Sequence, residues 1–180
     1  MASDIDAGTS VVEWAINESE RLDKHIVYVL GNHEFYGYEY KNIRVEIQSI
    51  CAGTSVNYLD CGVQVIGNVR IIGTTLCTDY KGLEHFPLDR VMCTIEYSLA
   101  DHHKIHFESN SITIKFKPHH APHPVCQHPA FPINELSTAF HSDLSQLIEK
   151  HDIDLWVYGH THANIDQIIS DTRNISNQGD

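Results

Sequence analysis

Two histidines that follow a glycine, two residues apart, are the strongest chemical pattern in this 180-residue chain. They stand in Gly159-His160-Thr161-His162, directly after the apolar run 155–158, which has the length of a strand. Neutral imidazole is the commonest protein metal ligand, and a glycine at a strand end permits the turn that would bring both rings to one cation. The pattern taken alone also fits an ordinary polar loop.

Two further polar stretches follow apolar runs in the same way. Gly31-Asn32-His33-Glu34 comes after the run 26–30, and His119-His120-Ala121-Pro122 comes shortly after the strand-like run 112–116. Asp4 begins an earlier polar loop. Because α/β sheets place their sites outside the carboxyl ends of strands, we expect these loops to converge. Together they favour a metal site over a set of unrelated loops.

The elements that would position these loops alternate between helical and strand patterns. A capping-box pattern over 10–13 predicts a helix to about residue 23, with Trp14 in the core, as Trp156 would be on its strand. The length favours one domain over residues 1–180. Further predicted helices are 38–52, 88–104 and 140–151; the predicted strands are 26–30, 55–59, 62–66, 69–74, 112–116, 155–158, 165–169 and 173–176.

Composition excludes some classes of function. The net charge of −12 argues against nucleic-acid binding through a basic face, although a metal could still hold a small phosphorylated substrate. No apolar run is long enough to span a bilayer, and the first residues show no secretory pattern. The five cysteines are odd in number and show no close pairing. We therefore expect reduced thiols in a cytoplasmic protein without a membrane segment.

The polar stretches resemble successive motifs of the calcineurin-like metallophosphoesterase superfamily, in its order and approximate spacing, over almost the whole chain. Ser3-Asp4-Ile5-Asp6 resembles the earlier Gly-Asp motif, with serine in place of glycine, and the segment 73–79 resembles a middle segment of bacterial members. The resemblance implies an α/β (α+β) fold: a two-sheet β-sandwich flanked by helices. It also implies a metal-dependent hydrolase of a phosphomonoester or phosphodiester, acting by attack of metal-bound hydroxide.

The resemblance further implies a metal centre with two ions. Asp4 would bridge them, and His162 would help to bind the second ion. The remaining ligands of the first ion would be Asn32, His119 and His160. Imidazole and carboxylate ligands suit Mn, Fe, Zn or Co, and two such ions clamp phosphoryl oxygens during displacement.

Catalytic roles are implied for His33 and Glu34. His33 would stabilise the transferring phosphoryl group or protonate the leaving oxygen, and Glu34 would orient it. We expect His120 to lie beside the metal or the substrate rather than to bind the metal, because adjacent side chains of an extended loop diverge.

The family's opening Asp-x-His motif does not occur ahead of Asp4. Asp23-Lys24-His25 has the letters but precedes a strand, and Asp101-His102-His103 at the end of a predicted helix is interpreted as surface. We therefore expect an N-terminally truncated domain with one well-formed metal site and a second that is weak or empty. Hydrolysis would be reduced or absent, and an uncovered strand edge would promote a homo-oligomer.

Two alternatives stay open at this point. The chain could be a non-catalytic, metal-binding remnant of the same fold, a pseudoenzyme. A nuclease is less favoured because the chain is acidic and shows no basic groove or stacking aromatics.

Overall fold

The computed structural model of the chain describes residues 6–76, 78–81, 85–107 and 120–177. The chain divides into two compact units. The first comprises Met1–Thr75 and Ala100–Phe116, and the second comprises Leu76–Leu99 and Lys117–Asp180. The single domain expected over residues 1–180 stays a prediction.

Helices and strands alternate along the described residues. The α-helices are α1 Ser10–Leu22, α2 Tyr40–Cys51, α3 Leu88–Ser98, α4 Asp101–Lys104 and α5 Ser145–Lys150. The strands are β1 Ile26–Tyr28, β2 Val56–Tyr58, β3 Gly62–Ile66, β4 Val69–Gly73, β5 Leu155–Val157, β6 Ile165–Ile169 and β7 Thr172–Ser176. Short 3-10 turns cover His33–Phe35, Pro124–Cys126 and Glu135–Ala139.

The first unit is built on the parallel pair β1 and β2, in which Ile26 lies opposite Val56. The helices α1 and α2 pack on β2. Tyr28 and Leu30 have no exposed surface, as a strand covered by helices requires. The core of this unit is Val11, Val12, Ala15, Tyr28, Leu30, Phe35, Ile43, Ile47, Cys51, Val56 and Ile105. The antiparallel hairpin of β3 and β4 turns at Gly67, which has φ +61°.

The second unit is built on a three-stranded sheet in the order β5-β7-β6. The strand β5 runs parallel to β7, and β6 runs antiparallel to it. One apolar cluster joins α3 to the turn Glu135–Ala139 and contains Tyr80, Val91, Met92, Ile95 and Ala139. A second cluster of Ala121, Cys126 and Tyr158 contacts Trp156 of β5. The residue that follows β5, Tyr158, is therefore buried where the Gly159–His162 loop begins.

The start of α1 differs from the predicted capping box. Thr9 occupies the N-cap position and makes no side-chain capping hydrogen bond. Ser10 lies inside the helix, and its hydroxyl donates to Asp6 Oδ2 at 2.9 Å and to the Ala7 carbonyl at 3.2 Å. Trp14, predicted to be core, is 48% exposed because it lies on the outer face of α1. The capping pattern was therefore placed one residue late.

Two of the longer predicted helices are shorter in the structure. The predicted helix 88–104 is interrupted at Leu99, whose φ of −99° and ψ of 131° are those of extended chain. The predicted helix 140–151 begins only at Ser145, because the backbone around Phe140 closes the preceding 3-10 turn. The predicted strand 112–116 lies outside the described residues. None of the helices that the structure describes combines the length and the apolar character of a membrane span.

Candidate metal centre

The Gly31–Glu34 loop begins just beyond the carboxyl end of β1. Glu34 has no exposed surface, and its Oε2 accepts a hydrogen bond from the Gly31 amide at 2.8 Å. The Glu34 carbonyl accepts a second hydrogen bond from the Gly8 amide at 3.1 Å. Glu34 therefore closes this loop on itself and ties it to the chain that leads into α1. Its predicted role in orienting His33 stays a prediction.

The side-chain amide of Asn32 has a defined orientation. Its Nδ2 donates to Asp101 Oδ1 at 2.8 Å and to the Tyr36 hydroxyl at 3.0 Å. An ionised carboxylate only accepts hydrogen bonds, so the nitrogen of the amide must face Asp101, and Oδ1 lies on the other side. Oδ1 is the atom of this amide that can ligate a cation. The hydrogen bonds of Nδ2 thus turn Oδ1 away from Asp101, and the role of Asn32 as a metal ligand stays a prediction.

Asp101 was interpreted from sequence as helix surface, and that interpretation was wrong. The helix α3 ends before Leu99, and the short helix α4 begins at Asp101. Asp101 is only 6% exposed. Its neighbours do lie nearer to solvent: His103 is exposed and His102 is half-buried. A buried carboxylate requires hydrogen-bond partners, and Asn32 and Tyr36 provide them.

His33 is half-buried and contacts an aromatic ring. Its imidazole centroid lies 4.9 Å from that of Tyr36, with 38° between the planes. The Lys104 Nζ lies 5.0 Å from the same Tyr36 ring. The two rings pack at a tilt, and this contact places the imidazole of His33 beside the Tyr36 ring.

In the second unit the Gly159–His162 loop follows the carboxyl end of β5. His160 and His162 both adopt left-handed backbone, with φ of +68° and +51°. His160 is buried, whereas His162 is exposed. His160 stacks on Phe140 with ring centroids 4.9 Å apart. The turn expected from Gly159 is therefore made by the histidines that follow it.

The ring nitrogens of His160 have distinct environments. Its Nε2 lies 3.2 Å from the Ala139 carbonyl oxygen. A carbonyl only accepts, so in the neutral ring the proton is on Nε2 and the lone pair is on Nδ1. Metal-binding histidines characteristically donate their other ring N–H to a carbonyl in this way. Nδ1 is therefore the ring nitrogen through which His160 could bind a cation, and its role as a ligand stays a prediction.

His120 is held in a similar manner. It is 1% exposed, and its Nδ1 lies 3.0 Å from the Leu76 carbonyl oxygen. Its ring centroid lies 4.8 Å from that of His160, edge to face. The prediction that it lies beside the metal or the substrate rather than on the metal is not tested by these contacts.

The sequence analysis also missed a buried histidine in this unit. His141 has no exposed surface, and its Nε2 lies 3.2 Å from Gln127 Oε1. The pKa of His141 is lowered to about 4, chiefly by burial and in addition by the charge of His123, while Asp143 acts in the opposite direction. His141 falls within the predicted helix 140–151, and no sequence pattern distinguished it from the other histidines.

The predicted ligands are thus placed in part. Asn32 belongs to the first unit, His160 and His162 belong to the second, and Asp4 and His119 lie outside the described residues. Within the described ranges, no group of three or more His, Cys, Asp or Glu side chains is gathered as for a metal ion. An amide oxygen with its nitrogen hydrogen-bonded and an imidazole with its other N–H on a carbonyl are donors that fit Mn, Fe, Zn or Co.

Comparison with known proteins agrees with the motifs. The sequence model of the calcineurin-like phosphoesterases matches residues 4–164. The crystal structure of Phosphopantetheinyl Hydrolase (PptH) from Mycobacterium tuberculosis superposes with a TM-score of 0.72 at 15% identity, over 97% of this chain and 76% of that one. No curated protein matches the sequence. The mixed α/β fold expected from the motifs is confirmed.

Proposed function

Since this chain belongs to the calcineurin-like phosphoesterase family, we propose that it is a metal-dependent hydrolase of phosphomonoesters or phosphodiesters. The match over residues 4–164 carries the proposal, because it spans all the motif positions that bear candidate ligands. Membership supports a phosphoesterase-type activity. Metal dependence and the substrate are the parts that we add.

The environments of Asn32 and His160 support metal dependence. The amide nitrogen of Asn32 is taken up by Asp101 and Tyr36, and the Nε2 proton of His160 is directed to the Ala139 carbonyl. In each side chain, a hydrogen bond made by one nitrogen determines which atom could bind the metal. That atom is Oδ1 in Asn32 and Nδ1 in His160. Asn32, His160 and His162 would serve as ligands, with Asp4 and His119 from the sequence; that these residues share cations stays a prediction.

Divalent cations would supply charge to stabilise the phosphoryl oxygens and would lower the pKa of a bound water. The chain's own contribution is to orient the ligands and to move a proton. His33 would give a proton to the leaving oxygen from a ring nitrogen, with its ring packed at a tilt against that of Tyr36. Glu34 would maintain the loop by accepting from the Gly31 amide.

The test is hydrolysis of a chromogenic phosphomonoester and a chromogenic phosphodiester by the purified chain with added Mn²⁺ and with a chelator. We expect Mn²⁺-dependent turnover of at least one ester. His33→Ala should lower kcat by roughly 10²–10⁴-fold while leaving Mn²⁺ affinity unchanged, because it removes a proton donor and no ligand. A phosphopantetheinyl ester is the third substrate to test, because the structural neighbour is named a phosphopantetheinyl hydrolase. At 15% identity, the similarity to that neighbour supports the fold alone.

His25→Ala is the matched control, because His25 is an exposed histidine ahead of β1 in the same unit. Equal loss in both variants would remove His33 from its role. Tight Mn²⁺ binding without turnover of any ester would favour the non-catalytic alternative. Failure of the chain to bind Mn²⁺ at all would contradict the proposal.

A further inference from the structure

We propose that Asp101 is a positioning residue that sets the Asn32 amide for metal binding, with Tyr36 as its partner. This inference rests on the proposed function, since it assigns to Asp101 an effect on the metal affinity of Asn32. Sequence patterns assigned Asp101 no role, since Asp101-His102-His103 was interpreted as helix surface; its hydrogen bond to Asn32 in the folded chain places it at the Gly31–Glu34 loop.

Three hydrogen bonds connect the three side chains. Asn32 Nδ2 donates to Asp101 Oδ1 at 2.8 Å, and it also lies 3.0 Å from the Tyr36 hydroxyl. The Tyr36 hydroxyl itself donates to Asp101 Oδ1. One carboxylate oxygen therefore accepts from both neighbours, and the amide nitrogen is bound by two oxygens. Asn32 and Asp101 are 3% and 6% exposed, so water competes little for these contacts.

Backbone hydrogen bonds join the segment that follows Asp101 to the segment that follows Asn32. The Gly37 amide donates to the Lys104 carbonyl at 2.8 Å, and the His106 amide donates to the Tyr38 carbonyl at 3.1 Å. Ile105 enters the core of the first unit and is 7% exposed. The segment that carries Asp101 is therefore docked along the chain that follows Asn32. The Asp101 carboxylate therefore reaches the Asn32 amide from a segment that backbone hydrogen bonds hold in place.

The orientation of the amide decides whether Asn32 can bind a cation. The oxygen and nitrogen ends of an Asn side chain are nearly the same size, so packing alone does not choose between them. A carboxylate accepts and cannot donate, and its charge makes the hydrogen bond to Nδ2 stronger than a neutral one. Asp101 thus selects the orientation with Oδ1 turned away from it. In the reversed orientation the amide would present a nitrogen without an available lone pair.

The first experiment is calorimetric titration of Mn²⁺ into the full chain and its variants. We expect Asp101→Ala to weaken Mn²⁺ binding by roughly 10–100-fold, the usual effect of losing a partner that orients a ligand. Asp101→Asn keeps an oxygen acceptor at the same place, so we expect a smaller loss. Tyr36→Phe removes one of the two oxygens from Nδ2, and we expect a loss of a few-fold. Ile105→Val is the matched control for altered packing and should bind as the wild type does.

The second experiment needs no metal. In the metal-free wild type, the side-chain amide protons of Asn32 should exchange slowly with solvent and have NMR shifts distinct from those of the exposed Asn42. In Asp101→Ala they should exchange faster and move toward the Asn42 values. This measurement reports, without any metal, whether the Asn32 amide nitrogen is held by a hydrogen bond to Asp101.

Each outcome decides the inference. Graded loss of affinity together with the amide change in Asp101→Ala supports it. Wild-type affinity in Asp101→Ala overturns it while leaving the proposed function intact. Wild type that binds no Mn²⁺ overturns the proposed function and the metal role of Asp101 with it, whatever the amide spectrum shows. Full loss in Asp101→Asn with no change in Tyr36→Phe makes Asp101 a ligand itself and overturns the positioning role.

Discussion

In the first unit the Gly31–Glu34 loop is positioned by buried carboxylates, whereas in the second unit the residues around Gly159–His162 are positioned by main-chain carbonyls. Asp101 and Glu34 accept from Asn32 and from the Gly31 amide. The carbonyls of Ala139 and Leu76 lie against the rings of His160 and His120. The first arrangement depends on particular side chains, and the second depends on the path of the backbone.

This difference predicts different responses to substitution. Replacing a carboxylate in the first unit removes the acceptor and leaves a buried donor without its partner. Replacing Leu76 or Ala139 leaves the carbonyl where it was, provided that the backbone keeps its course. Substitution of a carboxylate that holds the Gly31–Glu34 loop should therefore disturb that loop. Substitution of Leu76 or Ala139 should disturb the histidines of the second unit much less.

The largest effect on stability that we predict is that of Glu34→Ala. Glu34 has no exposed surface and accepts from the Gly31 amide, so truncation leaves a buried N–H unpaired and opens space. We expect the free energy of unfolding to fall by about 3 kcal/mol, measured by urea denaturation. The matched variant is Leu76→Met, which changes the side chain but keeps the carbonyl facing His120 and should cost less than about 1.5 kcal/mol. Equal losses in the two variants would contradict the comparison.

The second prediction concerns acid and the second unit. The folded-state pKa of His141 is about 4 against an ordinary value of 6.5, chiefly because of burial, so the unfolded chain binds a proton there that the folded chain does not. The stability from neutral His141 is full above pH 6.5 and is lost as the pH falls from 6.5 toward 4. We expect the free energy of unfolding to drop by about 2 kcal/mol between pH 7 and pH 5 from this group, measured by urea denaturation at both values.

His141→Gln removes the titrating group and keeps a side chain that can donate to Gln127. Its stability at pH 7 can differ from that of the wild type, so the quantity to compare is the change between pH 7 and pH 5. That change should be smaller by about 2 kcal/mol in the variant. If the free energy of unfolding changed equally in both proteins between pH 7 and pH 5, the pKa of His141 would not be lowered in the folded chain.

The sequence predicted well those features that depend on local pattern. The strands β3 and β6 have the predicted bounds, and α1, α2, β1, β2, β4, β5 and β7 lie within about two residues of theirs. The motif loops of Asn32 and of His160 do begin at the carboxyl ends of parallel strands. These features follow from periodicity and turn residues, which a single sequence displays.

The features that were missed depend on contacts between distant residues. Asp101 lies 69 residues from Asn32 along the chain. The helix break at Leu99 precedes Asp101, and no Gly or Pro in the sequence marks that break. His141 likewise fell within a predicted helix, because Phe140 and Leu144 have helical spacing. Backbone geometry around them is set by tertiary packing, which overrides a local pattern.

The smallest effect that we predict separates stability from metal binding in the second unit. His162 is exposed and adopts φ +51°, a conformation that costs a side-chain-bearing residue roughly 1–2 kcal/mol and glycine almost nothing. Since glycine also raises the entropy of the unfolded chain, His162→Gly should increase the free energy of unfolding by only about 0.5 kcal/mol while weakening Mn²⁺ binding.

Ser170→Gly is the matched control, because Ser170 has φ +52° in the exposed turn between β6 and β7. It should give a similar gain in urea denaturation with unchanged Mn²⁺ affinity. A gain in Ser170→Gly together with a loss in His162→Gly would show that the side chain of His162 stabilises the loop and that backbone geometry alone does not position it.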